Sequence, residues 1–314
     1  MQPSATRRAV LAGTGATAAA LALPATALAT TLTSPSRIGP KTMSHVTMKD
    51  GAKIYYKDWG TGPVVTFSHG WPLSADAWDA QMLFFGKLGY RVIAHDRRSH
   101  GRSDQTWHGN DMDTYADDLA TLLDTLDVKD AVMVGHSTGG GEVARYLGRH
   151  GLSRVSKAVL ISAVPPHMLQ TPSNPVAAPK SVFDGLRAAL IADRAQFYRD
   201  FPMVFYGYNK GIEPSQGQID SFFMQGMMGS LEGQYDCIAA LSETDFTQDL
   251  KSMAIPTLLL HGVEDQVVPI DIASRKSIGI LPKGVLVEIE GAPHGICVTH
   301  ADRINAELLK FIKA

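Results

Sequence analysis

The chain has 314 residues, 45% of them hydrophobic and 19% charged, which is enough apolar material for a substantial core around one open sheet. Its 29 lysines and arginines nearly balance 31 aspartates and glutamates, and the formal net charge of -2 argues against an electrostatic nucleic-acid binder. From about residue 44 onward no internal repeat, heptad pattern or low-complexity tract appears, so one globular domain is expected.

The N-terminal stretch stands apart. Thr6-Arg7-Arg8-Ala9-Val10-Leu11 precedes an alanine-rich apolar run, Ala27-Leu28-Ala29 offers a small-residue cleavage site with Ala25-Thr26-Ala27 as the alternative, and no acidic residue occurs before Asp50. Residues 1–29 therefore read as a bacterial signal peptide of twin-arginine type, followed by a linker over 30–43. The expected destination is the periplasm or the medium, with no stable membrane association after processing; an unprocessed extension is the competing reading. Export permits a disulfide between Cys237 and Cys297, the only cysteines, but a core of this size does not require one. Cys297 lies near His294 in sequence and is expected to be buried packing.

In chain order, Asp50-Gly51 separates strand-like Ser44 to Met48 from Ile54 to Trp59 and predicts an opening hairpin. Further strands are expected at Val64 to Phe67, Arg91 to Ala94, Ala131 to Val134, Ala158 to Ile161, Thr257 to Leu260 and Val285 to Ile289. Helical patterns alternate with them at Ala75 to Leu88, Met112 to Leu126, Glu142 to Arg149 and Ala301 to Ile312. This alternation predicts an α/β fold with a mostly parallel central sheet covered by helices on both faces. The core is assigned to 44–164 and 251–314. Between them, 165–250 breaks the regularity with proline-bearing loops and helical patterns, the mark of an inserted helical cap.

Gly135-His136-Ser137-Thr138-Gly139 follows the apolar run Ala131 to Val134 and precedes a helix-compatible stretch. A serine thrust out of a sharp strand-to-helix turn needs neighbours with almost no side chain, so this context makes the pentapeptide a nucleophile elbow with Ser137 at its tip. Asp265 and His294 follow later in the chain, each just after a strand, in the order Ser, acid, His. A serine hydroxyl is a poor nucleophile unaided; His294 would accept its proton while Asp265 holds the imidazole in the right tautomer. Upstream, Val64 to Ser68 runs into His69-Gly70-Trp71-Pro72, and the backbone N–H groups of Trp71 and Thr138 are the candidate oxyanion donors. His136 reads as a packed elbow residue, since Ser137 needs only one well-placed imidazole.

These residues, with Phe67-Ser68-His69-Gly70-Trp71-Pro72-Leu73, Ala94 to Ser103, His261 to Pro269 and Ala292-Pro293-His294-Gly295, resemble the cofactor-free haloperoxidase, perhydrolase and aryl-esterase family of α/β-hydrolases over nearly everything from His45 onward. The resemblance implies an α/β-hydrolase fold, small carboxylic esters or carboxylic acids as substrates with hydrogen peroxide as co-substrate, no metal or prosthetic group, and the triad Ser137, Asp265 and His294 with Trp71 and Thr138 as oxyanion donors. Peracid released from the acyl-enzyme would oxidise halide away from any halide site. This chain departs from the family pattern at His136 and Thr138, where many relatives carry an aromatic residue and methionine, and at Ser99, where glycine is usual.

In the cap, Phe201, Phe205, Met224, Met227 and Met228 are candidates to line the pocket beside Trp71, though each could equally pack the cap onto the body. The arginines of Asp96 to Asp104 read as a mutually satisfied, stiffened loop, with anion attraction as the alternative. His69 and His261 lie near strand ends without a third ligand at metal spacing. Lactone or amide hydrolysis would use the same triad; an α/β-fold lyase and a noncatalytic binding protein are the more distant alternatives. A homo-oligomer remains compatible with the sequence.

Overall fold

The computed structural model describes residues 44–172 and 174–314; the expected signal peptide and linker lie outside the described residues. Asp50-Gly51 closes the expected hairpin. Strands β1 (Ser44–Thr47) and β2 (Lys53–Trp59) pair antiparallel with Thr47 opposite Lys53, and Gly51 takes φ 91°, which a residue without Cβ enters at no steric cost.

Six more strands follow: β3 (Val64–Ser68), β4 (Arg91–His95), β5 (Ala131–His136), β6 (Val155–Ile161), β7 (Thr257–Gly262) and β8 (Gly284–Ile289). They join the hairpin in one sheet of order β1-β2-β4-β3-β5-β6-β7-β8, antiparallel at β1-β2 and β2-β4 and parallel from β4 onward. Because side chains alternate across a strand, each parallel strand feeds two cores. Ala131 and Met133 of β5 enter one cluster with Leu160 and Leu259, while Val132 and Val134 enter the other with Val159, Leu258 and Leu260.

Helices cover both faces. On one side lie α1 (Asp79–Lys87), entered through a 3₁₀ turn at Ala75–Trp78, and the C-terminal α11 (Ala301–Lys313); on the other lie α2 (Met112–Thr125) and α3 (Thr138–His150), packed together. Between β6 and β7 the chain inserts α4 (Lys180–Ala192), α5 (Arg194–Phe205), α6 (Gln216–Met228) and α7 (Leu231–Glu243). The last three have local starts: the side chains of Asp193, Ser215 and Ser230 accept hydrogen bonds from the first-turn amides of Gln196, Gln218 and Gly233. A short α8 (Thr247–Ser252) then packs back on α3. The remaining short helices, α9 (Ser274–Ser277) and α10 (Ile296–Thr299), flank the last strand.

The arginine-rich loop after β4 spends its charges internally. Asp96 accepts from the Ala75 and Arg102 amides and from the Arg102 guanidinium, and Arg98 forms a two-pronged pair with Asp118 at 2.8 Å. Ser99 sits at φ 62°, the left-handed region that explains the usual glycine, and Gly233 of α7 leaves the space that its Cβ fills. Deeper still, Glu142 of α3 accepts from His95 at 2.7 Å and from Arg97 at 2.6 and 3.0 Å, with Glu142 and Arg97 both fully buried.

Burial alone would raise the Glu142 carboxyl, but the charges of Arg97 and His95 bring it down to about 2. Its folded value lies below the unfolded one, so its contribution to stability is complete above the usual glutamate range and is lost as pH falls toward 2. Glu142→Gln leaves the Arg97 guanidinium as an uncompensated buried charge and is expected to cost about 3–5 kcal/mol, read from urea denaturation at neutral pH. A loss below about 1 kcal/mol would mean that Arg97 finds another partner or water.

Candidate active site

The C-terminal ends of parallel strands are where loops from different strands converge in an open α/β sheet. Ser137 leaves β5 there with φ 55° and ψ -120°, a strained conformation for a residue with a side chain. Its amide donates to the Ile161 carbonyl at 2.9 Å, and its carbonyl accepts from Gly140 at 2.9 Å, so both sides of the kink are tied down. A Cβ on Gly135 would collide with the Gly139 carbonyl, and one on Gly139 with the Ser68 carbonyl. The crossing of strand and helix is therefore too close for any residue larger than glycine.

The three predicted triad residues meet. Ser137 Oγ lies 2.9 Å from His294 Nε2, and His294 Nδ1 donates to Asp265 Oδ2 at 2.7 Å. All three are buried, with Asp265 and Ser137 at 5% exposure and His294 at 1%. The other oxygen of Asp265 accepts from the amides of Val267 at 2.9 Å and Val268 at 2.8 Å, which fixes the carboxylate beside the imidazole. Burial would push the Asp265 carboxyl up, but the charge of His294 and hydrogen bonds from His261 and His294 hold it well below the usual carboxylate range.

Trp71 and Thr138 line the same pocket as Ser137 and His294. Thr138 is the first residue of α3, so its N–H has no carbonyl one turn back to donate to and is free to meet an oxyanion. The Trp71 indole donates to the Gln234 carbonyl at 2.9 Å, which ties the loop after β3 to α7, and the Trp71–Pro72 peptide is cis. His69 is a structural residue: its Nδ1 donates to the Gly70 carbonyl and its Nε2 accepts from the Arg97 amide, both at 2.9 Å. His261 donates from Nε2 to the Val268 carbonyl at 2.8 Å, with Asp265 Oδ2 3.4 Å away, and so backs the acid rather than a metal.

The cap candidates divide. Phe201 does line the pocket, edge-on to Trp71 with ring centres 6.0 Å apart. Phe205 is instead packed edge-on against the His294 ring at 4.9 Å, and it lines a neighbouring cleft rather than the pocket at Ser137. Met224, Met227 and Met228 do not reach the pocket; they are 58%, 38% and 40% exposed. The reason is helical phase. Phe222, Gln225 and Gly226 occupy the inward face of α6, and the three methionines fall on the opposite one.

The missed lining residues are Val164, Met168, Phe183, Leu186, Ile238, Leu241, Val267 and Val268, drawn from separate elements with no shared motif. They enclose about 50 Å³ at the serine, and five of the pocket's residues (Met168, Phe183, Leu186, Phe201 and Val267) also border an apolar groove of about 860 Å³ that opens outward. Cys237 and Cys297 are free and buried, and burial pushes the Cys237 thiol up to about 11. Among the described residues no helix is long and apolar enough to cross a membrane.

Comparison with known proteins agrees with this geometry. The family model for the alpha/beta hydrolase fold matches residues 63–301. The chain is 57% identical to a non-heme chloroperoxidase of Streptomyces lividans over 276 residues, covering 87% of this chain and all of that protein. It is 54% identical to a bifunctional esterase/perhydrolase of Acinetobacter calcoaceticus, with the same coverage of each. The crystal structure of a bromoperoxidase from Bacillus anthracis superposes with a TM-score of 0.82 at 36% identity, covering 86% of this chain and all of the other. On a motif-bearing sheet, a buried serine relay and relatives matched along their whole length, the chain belongs to the α/β-hydrolase family, in its group of non-heme haloperoxidases and esterase/perhydrolases.

Proposed function

We propose that the protein is a serine esterase acting on esters of short carboxylic acids, and that the same acyl-enzyme yields peracid when hydrogen peroxide replaces water. The observation that carries this reading is the continuous relay from Ser137 through His294 to Asp265 beside two backbone donors. The 54% identity to a bifunctional esterase/perhydrolase supports the use of both nucleophiles at one site.

Ser137 Oγ attacks the ester carbonyl as His294 Nε2 takes its proton, and the amides of Trp71 and Thr138 stabilise the oxyanion. Collapse expels the alcohol, which leaves with the proton from His294. Water, or the terminal oxygen of hydrogen peroxide, then attacks the acyl carbon; His294 removes its proton and returns it to Ser137 as the serine–acyl bond breaks. The products are the carboxylic acid in one case and the peracid in the other. Acylation by a free carboxylic acid runs the same first step with water as the leaving group.

The pocket of about 50 Å³ at Ser137 holds only a few heavy atoms, whereas the outer groove of about 860 Å³ has room for an apolar or aromatic alcohol portion. Accordingly kcat/KM for p-nitrophenyl esters should be highest for acetate and fall by about tenfold or more by octanoate, where the chain must displace packed side chains. With acetate and hydrogen peroxide, peracetic acid should form, and one equivalent of a serine-directed phosphonate should remove both activities together. A folded protein that turns over neither substrate would redirect the assignment to lactones, amides or lyase chemistry.

We further propose that the chain is exported through its twin-arginine segment. Support comes from the basic, acid-free character of residues 1–29 and the small residues before Thr30. The exported protein should begin at Thr30, or at Leu28 if the alternative site is used, by intact mass. Replacing both Arg7 and Arg8 with lysine should retain it in the cytoplasm; unchanged export would remove the twin-arginine route.

A further inference from the structure

His136 has no part in the cycle above, and its imidazole is buried within a few ångströms of the catalytic one. It is the last residue of β5, immediately before Ser137, and it packs against His294 with ring centres 4.8 Å apart. Phe205 lies 5.9 Å away and Trp78 6.4 Å away, both edge-on, so the ring is confined on several sides. Its Nε2 lies 2.9 Å from the His294 carbonyl oxygen. A carbonyl only accepts, so Nε2 carries the proton and Nδ1, which faces Gly70, is an acceptor.

That carbonyl belongs to the peptide unit joining His294 to Gly295. Its other polar end, the Gly295 N–H, donates to the Phe205 carbonyl at 2.7 Å. One peptide plane is thus gripped from both ends, by the last residue of β5 and by cap helix α5. Rotation about the His294 backbone, which would swing Nε2 away from Ser137, breaks one of these bonds. An aromatic hydrocarbon at position 136 would keep the packing and lose the grip.

We infer that His136 is a positioning residue: as a neutral, Nε2-protonated imidazole it clamps the peptide plane of His294 and so holds the general base in reach of Ser137. Burial and the neighbouring His294 charge favour the neutral form, against the opposing pull of Asp265. His294, Asp265 and His261 face it from the triad side, Asp76, Asp79, Tyr206 and Cys297 border the cleft on its other side, and burial with the His294 charge lowers its pKa to about 3. The inference rests on the triad reading of Ser137, Asp265 and His294.

The test compares His136→Phe with His136→Gln, whose amide nitrogen can take the place of Nε2. Both are assayed for kcat and KM on p-nitrophenyl acetate, with thermal melts alongside. His136→Phe should fold, keep KM and lose about tenfold in kcat, the size of one well-placed buried hydrogen bond, and His136→Gln should recover most of that loss. Wild-type kcat in His136→Phe, or equal impairment of both folded variants, would overturn the inference and leave packing as the role. Should His136→Phe fail to fold, ¹⁵N NMR of the wild type decides: Nε2-protonated neutral His136 from about pH 5 to 9 supports the clamp, and an Nδ1-protonated or charged ring overturns it. Stoichiometric phosphonate labelling of wild-type Ser137 is measured first. Labelling with unaffected His136 variants refutes the clamp alone, whereas absence of labelling refutes the triad reading and the clamp with it.

Discussion

Ser137→Ala is expected to reduce kcat for p-nitrophenyl acetate by about 10⁶-fold while leaving the melting temperature nearly unchanged. The size follows from the role, since without Oγ no acyl-enzyme forms and what remains is weak stabilisation by the Trp71 and Thr138 amides. The fold should tolerate the change because the elbow is held by backbone bonds and by glycine crowding, neither of which involves the hydroxyl. Removal of the strained serine side chain also relieves a conformation at φ 55° only in part, as alanine has a Cβ too. Side-by-side progress curves and a phosphonate labelling assay on the two proteins check the prediction. Esterase activity within tenfold of wild type in purified Ser137→Ala would sink the assignment of the nucleophile, whatever the relay looks like.

Asp265→Asn is expected to cost about 10⁴-fold in kcat with the fold intact. The surroundings decide how the amide must sit. Two backbone N–H groups, from Val267 and Val268, converge on one carboxylate oxygen and demand an acceptor there. The Asn NH₂ is then turned toward His294 Nδ1, now 2.7 Å from a donor where an acceptor stood, and toward the His261 N–H at 3.4 Å. His294 can satisfy that contact only by moving its proton to Nε2, the atom that must accept from Ser137. The nucleophile survives and its activation does not, so slow phosphonate labelling should persist where turnover is lost. A change of less than about tenfold would mean that His294 keeps its tautomer without Asp265.

The pH behaviour of this acid has a definite sign. Its folded pKa is depressed, so its contribution to stability is present above the usual aspartate range and disappears as pH falls below it. Asp265 therefore stays ionised through neutral pH and supplies no titration of its own to the activity profile there.

Much of the architecture was legible because the signals are local. The eight strands lie within a residue or a few of the expected spans, since apolar runs bounded by Gly, Pro and Asp mark them directly. The elbow was readable for the same reason: serine flanked by glycines between a strand and a helix has few other uses. Chain order brought Asp265 and His294 into the same hypothesis. What motif reading could not reach was the second circle of contacts. Glu142 beneath the arginine loop and His136 gripping a carbonyl 158 positions away carry no signature in sequence, because each partnership joins segments far apart in the chain. His261 sits only four residues before Asp265 but declares its contact only once the loop between them is folded. The methionines of α6 failed for a related reason. A helix rich in apolar residues does not announce which side it buries until something packs against it.

By itself the sequence determined the element types and the parallel α/β class, and it singled out the Ser137 turn with Asp265 and His294 as its candidate partners, because these depend on periodicity, backbone conformation and side-chain chemistry within a few residues. Only the tertiary structure decided the strand order that sets Ser137, His294 and Asp265 at 2.9 and 2.7 Å, the face of each cap helix turned inward, and the narrow pocket with its wide apolar approach. The physical reason is range. Local preferences are read from neighbours along the chain, whereas cavities and hydrogen-bond relays are made by residues far apart in sequence that meet only when the sheet is assembled and both its faces are covered.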